Sequence, residues 1–365
     1  MRRAWREIAG TGTAAGISLA LLVAISVFVA VAGARASQTV PTRALRAGLA
    51  RLAPVDKTVL GTLDFDQAGT QGNPVQGSDL ALLRSELTTR LTKAALPLAA
   101  RQSDWSGLTT AYSSVTAGAR RGYVAGTPPQ LELLYRDALA HYAGHLTGRL
   151  PTASHARNGR AFFQVAVTTG TASRLGLKVG SQVSIEPNLT LQVTGIFRPA
   201  RPGSAFWAVD PAAAAPDTTK TTTGPSYWAG AVFVGSAELP LLQAHTNVSA
   251  VVLSFGFPMS LHGLTAAQSG SLLTKLSGPS LQNIGQVGVS PPTQVVLSAS
   301  VAGFLGTFAR ERAAVSGVLD LLVVSLAAIG IVVVLLGALL LAEQRRGEFA
   351  LLRARGAARR QLAGL

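Results

Sequence analysis

The sequence predicts a membrane α-helical protein in which two transmembrane helices accompany an α+β extracytoplasmic domain carried on helical stalks. The composition points this way, because 13% of the 365 residues are charged and 48% are hydrophobic, whereas soluble domains carry about 25% charged residues. Two long apolar segments lie near the two ends of the chain. The residues between them alternate between helical and period-two patterns, which is typical of a mixed α+β domain.

The first apolar segment, 13–34, holds about 22 residues without a charge, close to the ~20 that a membrane-spanning helix needs. A signal peptide is the rival interpretation, since Arg2, Arg3 and Arg6 precede it and 34–36 resembles a cleavage site. Signal peptides have shorter apolar cores of about 7–15 residues. A retained helix is therefore the favoured interpretation.

The second apolar segment, 318–342, has one charge, Asp320, at its outer end. A carboxylate costs much less there than at the centre of a bilayer. Arginines cluster before the first segment and after the second, which by the positive-inside rule predicts that both termini are cytoplasmic. The predicted location is the plasma membrane, as a multi-pass protein with a large outer domain.

Between the two segments, hydrophobic spacing predicts a folded domain. Helices are expected at 79–96, with Ser78 as N-cap, at 129–146 and at 264–276, and a loop at 212–225. The expected strands cover 57–65, 161–169, 182–185, 189–197, 228–235 and 248–255. Proline is absent from 293 to 342, which predicts a helix of about 50 residues, about 75 Å long, whose outer part forms a stalk.

These expectations divide the chain into six parts. They are a cytoplasmic N-terminus (1–12), the first transmembrane helix (13–34), the extracytoplasmic domain (35–292), a stalk helix (293–317), the second transmembrane helix (318–342) and a cytoplasmic amphipathic coupling segment (343–365).

The sequence offers little sign of catalysis. It contains neither a G-x-x-x-x-G-K-[ST] phosphate loop nor a G-x-S-x-G nucleophile elbow, and it has no cysteine. Asp137, His141 and His145 would share one face of the predicted helix 129–146 and could hold zinc, but a solvated polar face explains them better. We therefore expect no enzyme activity, no cofactor and no metal. Dispersed arginines without interleaved aromatic residues argue against a nucleic-acid partner.

The C-terminal segment 343–365 is basic and amphipathic, with Phe349 and Leu352 on one side. It could lie against anionic lipid headgroups or form a docking surface for a cytoplasmic partner. Its sequence EQRRGEFALLRARGAARRQL resembles the E-x-R-x-x-E-[FI]-A-[LI]-L-R-A-x-G-A-x-x-x-Q-[LI] segment of FtsX-like or MacB-type permeases of ABC transporters.

A second region is similar to the outer domain of the same permease family. There G-R-x-P leads to a strand, L-G-L-x-x-G-[SD]-x-[VI] follows, and a later strand ends in V-x-G-I. The matching residues are Gly148–Pro151, Leu175–Val183 and Val193–Ile196. Family members have at least four transmembrane helices, so this chain is expected to be a fragment.

The resemblance implies the permease subunit of an ABC transporter, working in export or mechanotransmission with ATP hydrolysis in a separate ATPase subunit. It also implies a second permease copy or paralogue and contact with membrane lipids. The implied ATPase-coupling residues are Glu343, Arg345, Arg346, Glu348, Phe349, Leu352, Arg353 and Gly356. A two-span extracytoplasmic sensor or a cell-envelope scaffold would give the same hydropathy profile, and these alternatives stay open.

Overall fold

The computed structural model describes residues 39–64, 75–100, 103–152, 155–157, 160–186, 189–220, 224–245, 251–277, 279–287 and 293–354. Contacts divide the chain into two compact units. One is 46–306, which contains the sheet, and the other joins 1–45 with 307–365.

Ten α-helices, one 3-10 helix (Ser236–Glu238) and fifteen strands are formed within the described residues. The helices are α1 (39–51), α2 (Gly77–Lys93), α3 (Leu139–Tyr142), α4 (Thr169–Leu175), α5 (Ala205–Ala208), α6 (Pro211–Ala214), α7 (Leu239–His245), α8 (Ala266–Leu276), α9 (Pro279–Gly285) and α10 (Val301–Ala354). The strands are β1 (Thr58–Asp64), β2 (Trp105–Thr109), β3 (Ser113–Ser114), β4 (Gln130–Arg136), β5 (Ala143–Gly148), β6 (His155–Arg157), β7 (Arg160–Thr168), β8 (Gln182–Glu186), β9 (Leu189–Pro199), β10 (Asp217–Thr219), β11 (Tyr227–Phe233), β12 (Val252–Pro258), β13 (Gln286–Val287), β14 (Thr293–Gln294) and β15 (Val296–Ser298).

Thirteen of the described strands form one mixed sheet in the order β15-β1-β12-β2-β4-β11-β7-β9-β5, with β3, β6, β8 and β10 paired to β4, β7, β9 and β11. β4 is parallel to β11 and β7 is parallel to β9, while the other described pairs in this sheet are antiparallel. β4 lies in the middle and is buried on both faces beyond its first residue. β9 alternates buried and half-buried residues, because one of its faces packs on the core.

An aromatic cluster covers one face of the central strands. Tyr142 stacks on Phe206 with ring centroids 4.0 Å apart, and Trp207 meets Phe233 edge to face at 5.9 Å. Each of these rings is at most 8% exposed. Buried aromatic pairs contribute about 0.5–1.5 kcal/mol beyond the area that they bury, so this cluster holds the short helices α5 and α6 on the sheet.

The segment that resembles the permease outer domain forms a compact β7-α4-β8-β9 unit. The Thr168 hydroxyl caps α4 by accepting a hydrogen bond from the Thr171 N–H at 3.2 Å. Gly176 ends the helix in the left-handed conformation, φ 69°, which favours glycine. The Leu177 N–H then bonds the Ala172 carbonyl at 2.8 Å and turns the chain toward β8. The first glycine of the L-G-L-x-x-G pattern is therefore a helix C-cap.

Most of the predicted elements of the domain are confirmed, with shifted ends. β1, β7, β8, β9, β11 and β12 match the six predicted strands, and α2 and α8 match two predicted helices. The N-cap of α2 is Gln76, whose N–H bonds the Asp79 carboxylate at 2.9 Å, and Ser78 lies inside the helix. The predicted loop 212–225 contains the end of α6 and β10.

The predicted helix 129–146 is wrong, because this stretch forms β4, α3 and β5. Its first part, Gln130–Arg136, has apolar residues at positions that fit either a helix or a buried strand. Pairing decides the outcome, since β4 bonds β2 on one side and β11 on the other.

The proline-free stretch after residue 293 begins with β14 and β15, and its helix starts only at Val301. α10 then continues for 54 residues, through Gly303, Gly306 and Gly317. The predicted long helix is thus present, but the predicted stalk 293–317 starts as strand.

The prediction of membrane-spanning helices is not upheld. A transmembrane helix needs about 20 consecutive apolar residues, and over the described residues no helix is long and apolar enough to cross a bilayer. The first predicted span, 13–34, lies outside the described residues.

For the described chain, the membrane α-helical fold class is therefore wrong, and the architecture is a mixed sheet with helices packed on it. The same finding overturns the predicted transmembrane character and the predicted multi-pass plasma-membrane location. The α+β character of the domain 46–306 stands.

Candidate functional site: a buried carboxyl and guanidinium cluster

Strand β4 brings two ionisable side chains into the core. Successive residues of a strand point to opposite faces, so Glu132, Leu134 and Arg136 share the face that carries the aromatic cluster. Glu132 is 4% exposed and Arg136 is 3% exposed. Charged residues are rarely buried this deeply unless they are paired, and the partners come from the segment that covers the sheet.

Glu132 lies beside Asp210, the residue at the N-cap of α6. Its carboxyl group hydrogen-bonds the side chains of Asp210 and Tyr112. Burial, followed by the hydrogen bond to Asp210 and the charge of Asp210, raises the pKa of Glu132 to about 9, while Tyr112 and Arg136 lower it. Glu132 is therefore protonated at pH 7. Its Oε1 atom finds no hydrogen-bond partner among the described residues.

Arg136 supplies the positive charge of the cluster. Its guanidinium donates to the Phe206 carbonyl in α5 and lies between two rings, 4.7 Å from the centre of Trp105 and 5.0 Å from that of Phe206. Burial lowers the pKa of Arg136 to about 10, while Asp210 and Glu132 oppose that shift. The Arg136 side chain is still charged at pH 7 and lies beside the carboxyl groups of Glu132 and Asp210.

Two tyrosines form the outer rim of the cluster. The rings of Tyr112 and Tyr227 are 6.4 Å apart, and Tyr112 is 38% exposed. Burial, followed by the charges of Glu132 and Asp210, raises the pKa of Tyr112, so its hydroxyl remains a hydrogen-bond donor. Chemically, the cluster keeps the buried Glu132 carboxyl protonated and ties α5 and α6 to the sheet.

The three residues proposed as metal ligands do not assemble. Asp137 follows β4 and accepts hydrogen bonds from the Ser106 N–H at 3.1 Å, the Ser106 hydroxyl at 2.7 Å and the Arg84 guanidinium. His141 lies in α3, with its Nε2 3.3 Å from Arg201, whereas His145 lies in β5. No group of three acidic, histidine or cysteine side chains in the described part could hold a metal ion.

The predicted ATPase-coupling residues stay a prediction. Glu343, Arg345, Arg346, Glu348, Phe349, Leu352 and Arg353 lie in the last turns of α10, but their side chains are outside the described ones. Gly356 lies beyond the described residues.

The buried cluster was missed by the sequence analysis. The signal was present in QLELLYR, where Glu132 and Arg136 are four residues apart and so share one face of a strand. The predicted helix 129–146 included this stretch and assigned no role to either charge. The partner Asp210 is 78 residues after Glu132 in the chain (210 minus 132), and no local pattern pairs them.

Comparisons with known proteins add little to this site. No protein-family model matches the chain, and no curated protein matches it. Among solved structures, the chain is similar to "a domain of a putative Permease protein from Porphyromonas gingivalis", with 10% identity and a TM-score of 0.25. The similarity covers 68% of this chain and 93% of that chain. This description is of the same kind as the sequence resemblance, but at this TM-score it carries no argument.

Proposed function

We propose that the chain is a permease-type subunit of an ABC transporter that acts as a mechanical relay between a separate ATPase chain and the domain 46–306. The observation that carries the proposal is that α10, the helix ending in the permease-like motif, begins inside the core of that domain. The chain itself supplies no catalytic step, and ATP hydrolysis belongs to the partner.

The first turns of α10 are built into the domain. The Val301 N–H donates to the Asp56 carbonyl at 3.0 Å, beside the start of β1. Val301 is fully buried and Leu305 is 1% exposed. Because β15 pairs with β1 and leads directly into the helix, a displacement of this helix end acts on the edge of the sheet.

Close packing between α1 and α10 reinforces this connection. Gly48 in α1 faces Phe304, and a Cβ at Gly48 would lie 2.5 Å from the Phe304 ring. No side chain fits there unless the ring moves. The Arg46 guanidinium also bonds the Leu264 carbonyl at 3.3 Å. The start of α10 therefore has little freedom to slide within the domain.

The other end of α10 carries the motif. The helix has 54 residues and measures about 81 Å at ~1.5 Å per residue. An α-helix is stiff along its axis, since each backbone N–H bonds the carbonyl one turn earlier. A push on Glu348 or Arg353, in the segment that resembles the permease coupling region, would reach Val301 with little loss.

Association with an ATPase tests this proposal. The full chain carrying Glu348→Ala and Arg353→Ala should lose co-purification with an ABC ATPase from native cells. A matched control carries Arg310→Ala and Glu311→Ala, which remove the same two charges from the same helix outside the motif. The proposal predicts normal association for the control and at least about tenfold weaker association for the motif variant, as for loss of about 1.4 kcal/mol. Equal association of the two variants would sink it.

A further inference from the structure

The middle of α10 carries large apolar side chains that are exposed to solvent. The sequence from 321 to 342 has no charged residue. Leu321 is 69% exposed and Leu335 is 57% exposed, although leucine is among the residue types that are most often buried. A continuous exposed apolar surface marks an interaction site.

Six exposed residues repeat along one side of this helix at alternating intervals of three and four. We call them the α10 stripe, and they are Val318, Leu321, Ser325, Ala328, Val332 and Leu335. On the opposite side of the helix, Gly330, Val334 and Gly337 are half-buried. Intervals of three and four, kept over three heptads, are the pattern by which one helix packs along another in a left-handed coiled coil. The stripe therefore fits a helix as its partner.

The residue types in the stripe favour two parallel helices. Val318 and Val332 occupy the first position (a) of their heptads, and Leu321 and Leu335 occupy the fourth position (d). A β-branched residue at a with leucine at d favours a parallel coiled coil of two strands over one of three or four. The partner is therefore expected to be a single helix that runs in the same direction.

Ser325 occupies the a position of the middle heptad. Its hydroxyl donates to the Leu321 carbonyl of the same helix at 2.8 Å, so a partner can cover it without leaving an unpaired donor. A polar residue at one a position costs stability but specifies the register of the pair. The small side chains of Ser325 and Ala328 also allow two helices to approach closely.

The flanks of the stripe favour an uncharged partner. In coiled coils, charged residues at the e and g positions pair across the interface and set the choice of partner. In α10 these positions are apolar and exposed, and they hold Val324, Ile329, Ile331 and Leu336. Two identical helices can therefore meet along the stripe without repulsion between like charges.

We propose that α10 of a second copy of this chain covers the stripe, in a parallel pair of helices with the same register. Each layer of the interface then contains the same residue from both copies, and the apolar side chains are removed from water, which drives association. This proposal does not rest on the relay proposed above, because the pairing needs no ATPase.

Cysteine cross-linking of the full chain in intact cells tests the geometry of the pair. The chain has no cysteine, so a single introduced thiol gives an unambiguous result. Leu321→Cys and Leu335→Cys should each form a disulfide-linked dimer under mild oxidation at least about tenfold faster than Ala327→Cys, because only the first two meet their own copies across the interface. Ala327 is the matched control, since it is also exposed but points away from the stripe. Mass spectrometry of the product should give twice the 37.5 kDa of one chain.

Sedimentation of the purified full chain measures the strength of the pair. Val332→Asp should raise the dimer dissociation constant at least about tenfold, because it places two carboxylates in one layer of the interface. Val333→Asp introduces the same charge at the next residue, which is 40% exposed and outside the stripe, and should change the constant by less than about threefold. Circular dichroism of each variant checks that α10 and the sheet are still folded.

Several results would overturn the proposal. One is a wild-type chain that stays monomeric at all concentrations, and another is equal weakening by Val332→Asp and Val333→Asp. Cross-linking at Ala327→Cys as fast as at the stripe, or only in a mixture of the Leu321→Cys and Leu335→Cys chains, would contradict the parallel register. A cross-linked product that contains a different protein would show that the stripe binds another partner.

Discussion

Replacing Glu132 with glutamine should make the protein more stable at neutral pH. Glutamine has the shape of a protonated glutamate and cannot ionise, so Glu132→Gln keeps a hydrogen-bond donor toward Asp210. In the wild-type protein the pKa of Glu132 rises from an ordinary 4.5 to about 9. Between those values the unfolded chain has lost a proton that the folded chain retains, so stability falls as the pH rises.

The size of the effect follows from the same pKa. One proton contributes about 1.4 kcal/mol for each pH unit, and pH 7 lies about two and a half units above the ordinary pKa. The free energy of unfolding of the wild-type protein should therefore fall by up to about 3 kcal/mol between pH 4.5 and pH 7 because of this group alone. The variant should avoid that loss and unfold about 6–12 °C higher at pH 7, at 2–4 °C per kcal/mol. Near pH 4 the two proteins should be about equally stable.

Thermal and urea unfolding of the full chain, followed by circular dichroism from pH 4 to pH 8.5, would measure this difference. Glu86→Gln is the matched control, since Glu86 pairs with Arg90 at the surface and should change stability by less than about 1 kcal/mol. If Glu132→Gln were less stable than the wild type at pH 7, or followed the same pH dependence, Glu132 would not be protonated in the folded protein.

Three further predictions concern the packing of the domain, and each is tested by urea unfolding at pH 7. Arg136→Met should destabilise by about 3–5 kcal/mol, because it leaves buried carboxyl groups without their cation; a neutral effect would contradict the assigned charges. Gly48→Val should cost about 1–3 kcal/mol by overpacking against Phe304, and Phe304→Leu in the same chain should recover part of that loss. Asp137→Asn should cost more than Arg84→Gln, because Asp137 also accepts two bonds from Ser106; the opposite order would refute that ranking.

The strands of the sheet were largely predictable where apolar and polar residues alternate along the sequence. β9 reads as alternating apolar and polar residues, and the structure buries every second one. The stretch 161–197 also carries the L-G-L-x-x-G pattern, whose first glycine proves to cap α4. Local chemistry therefore specified this part of the fold, because period-two burial and a left-handed cap leave few alternatives.

Prediction failed where distant partners decide the structure. Gln130–Arg136 becomes a strand because β2 and β11 flank it, and neither neighbour is visible in its own sequence. The Glu132–Asp210 pair depends on the same pairing. The membrane prediction rested on composition, on two apolar segments and on the placement of arginines. An apolar segment indicates that its residues are buried, but it does not distinguish burial in a bilayer from burial against protein.

The central claim is that α10 relays movement from an ATPase to the domain 46–306. Amide hydrogen exchange at 301–306, in the full chain bound to its ATPase partner, tests this most directly. The account predicts that a non-hydrolysable ATP analogue changes exchange at 301–306, and that Glu348→Ala with Arg353→Ala abolishes the change while exchange in β7 and β9 stays constant. Unchanged exchange at 301–306 with the ATPase bound and loaded with nucleotide would contradict the relay.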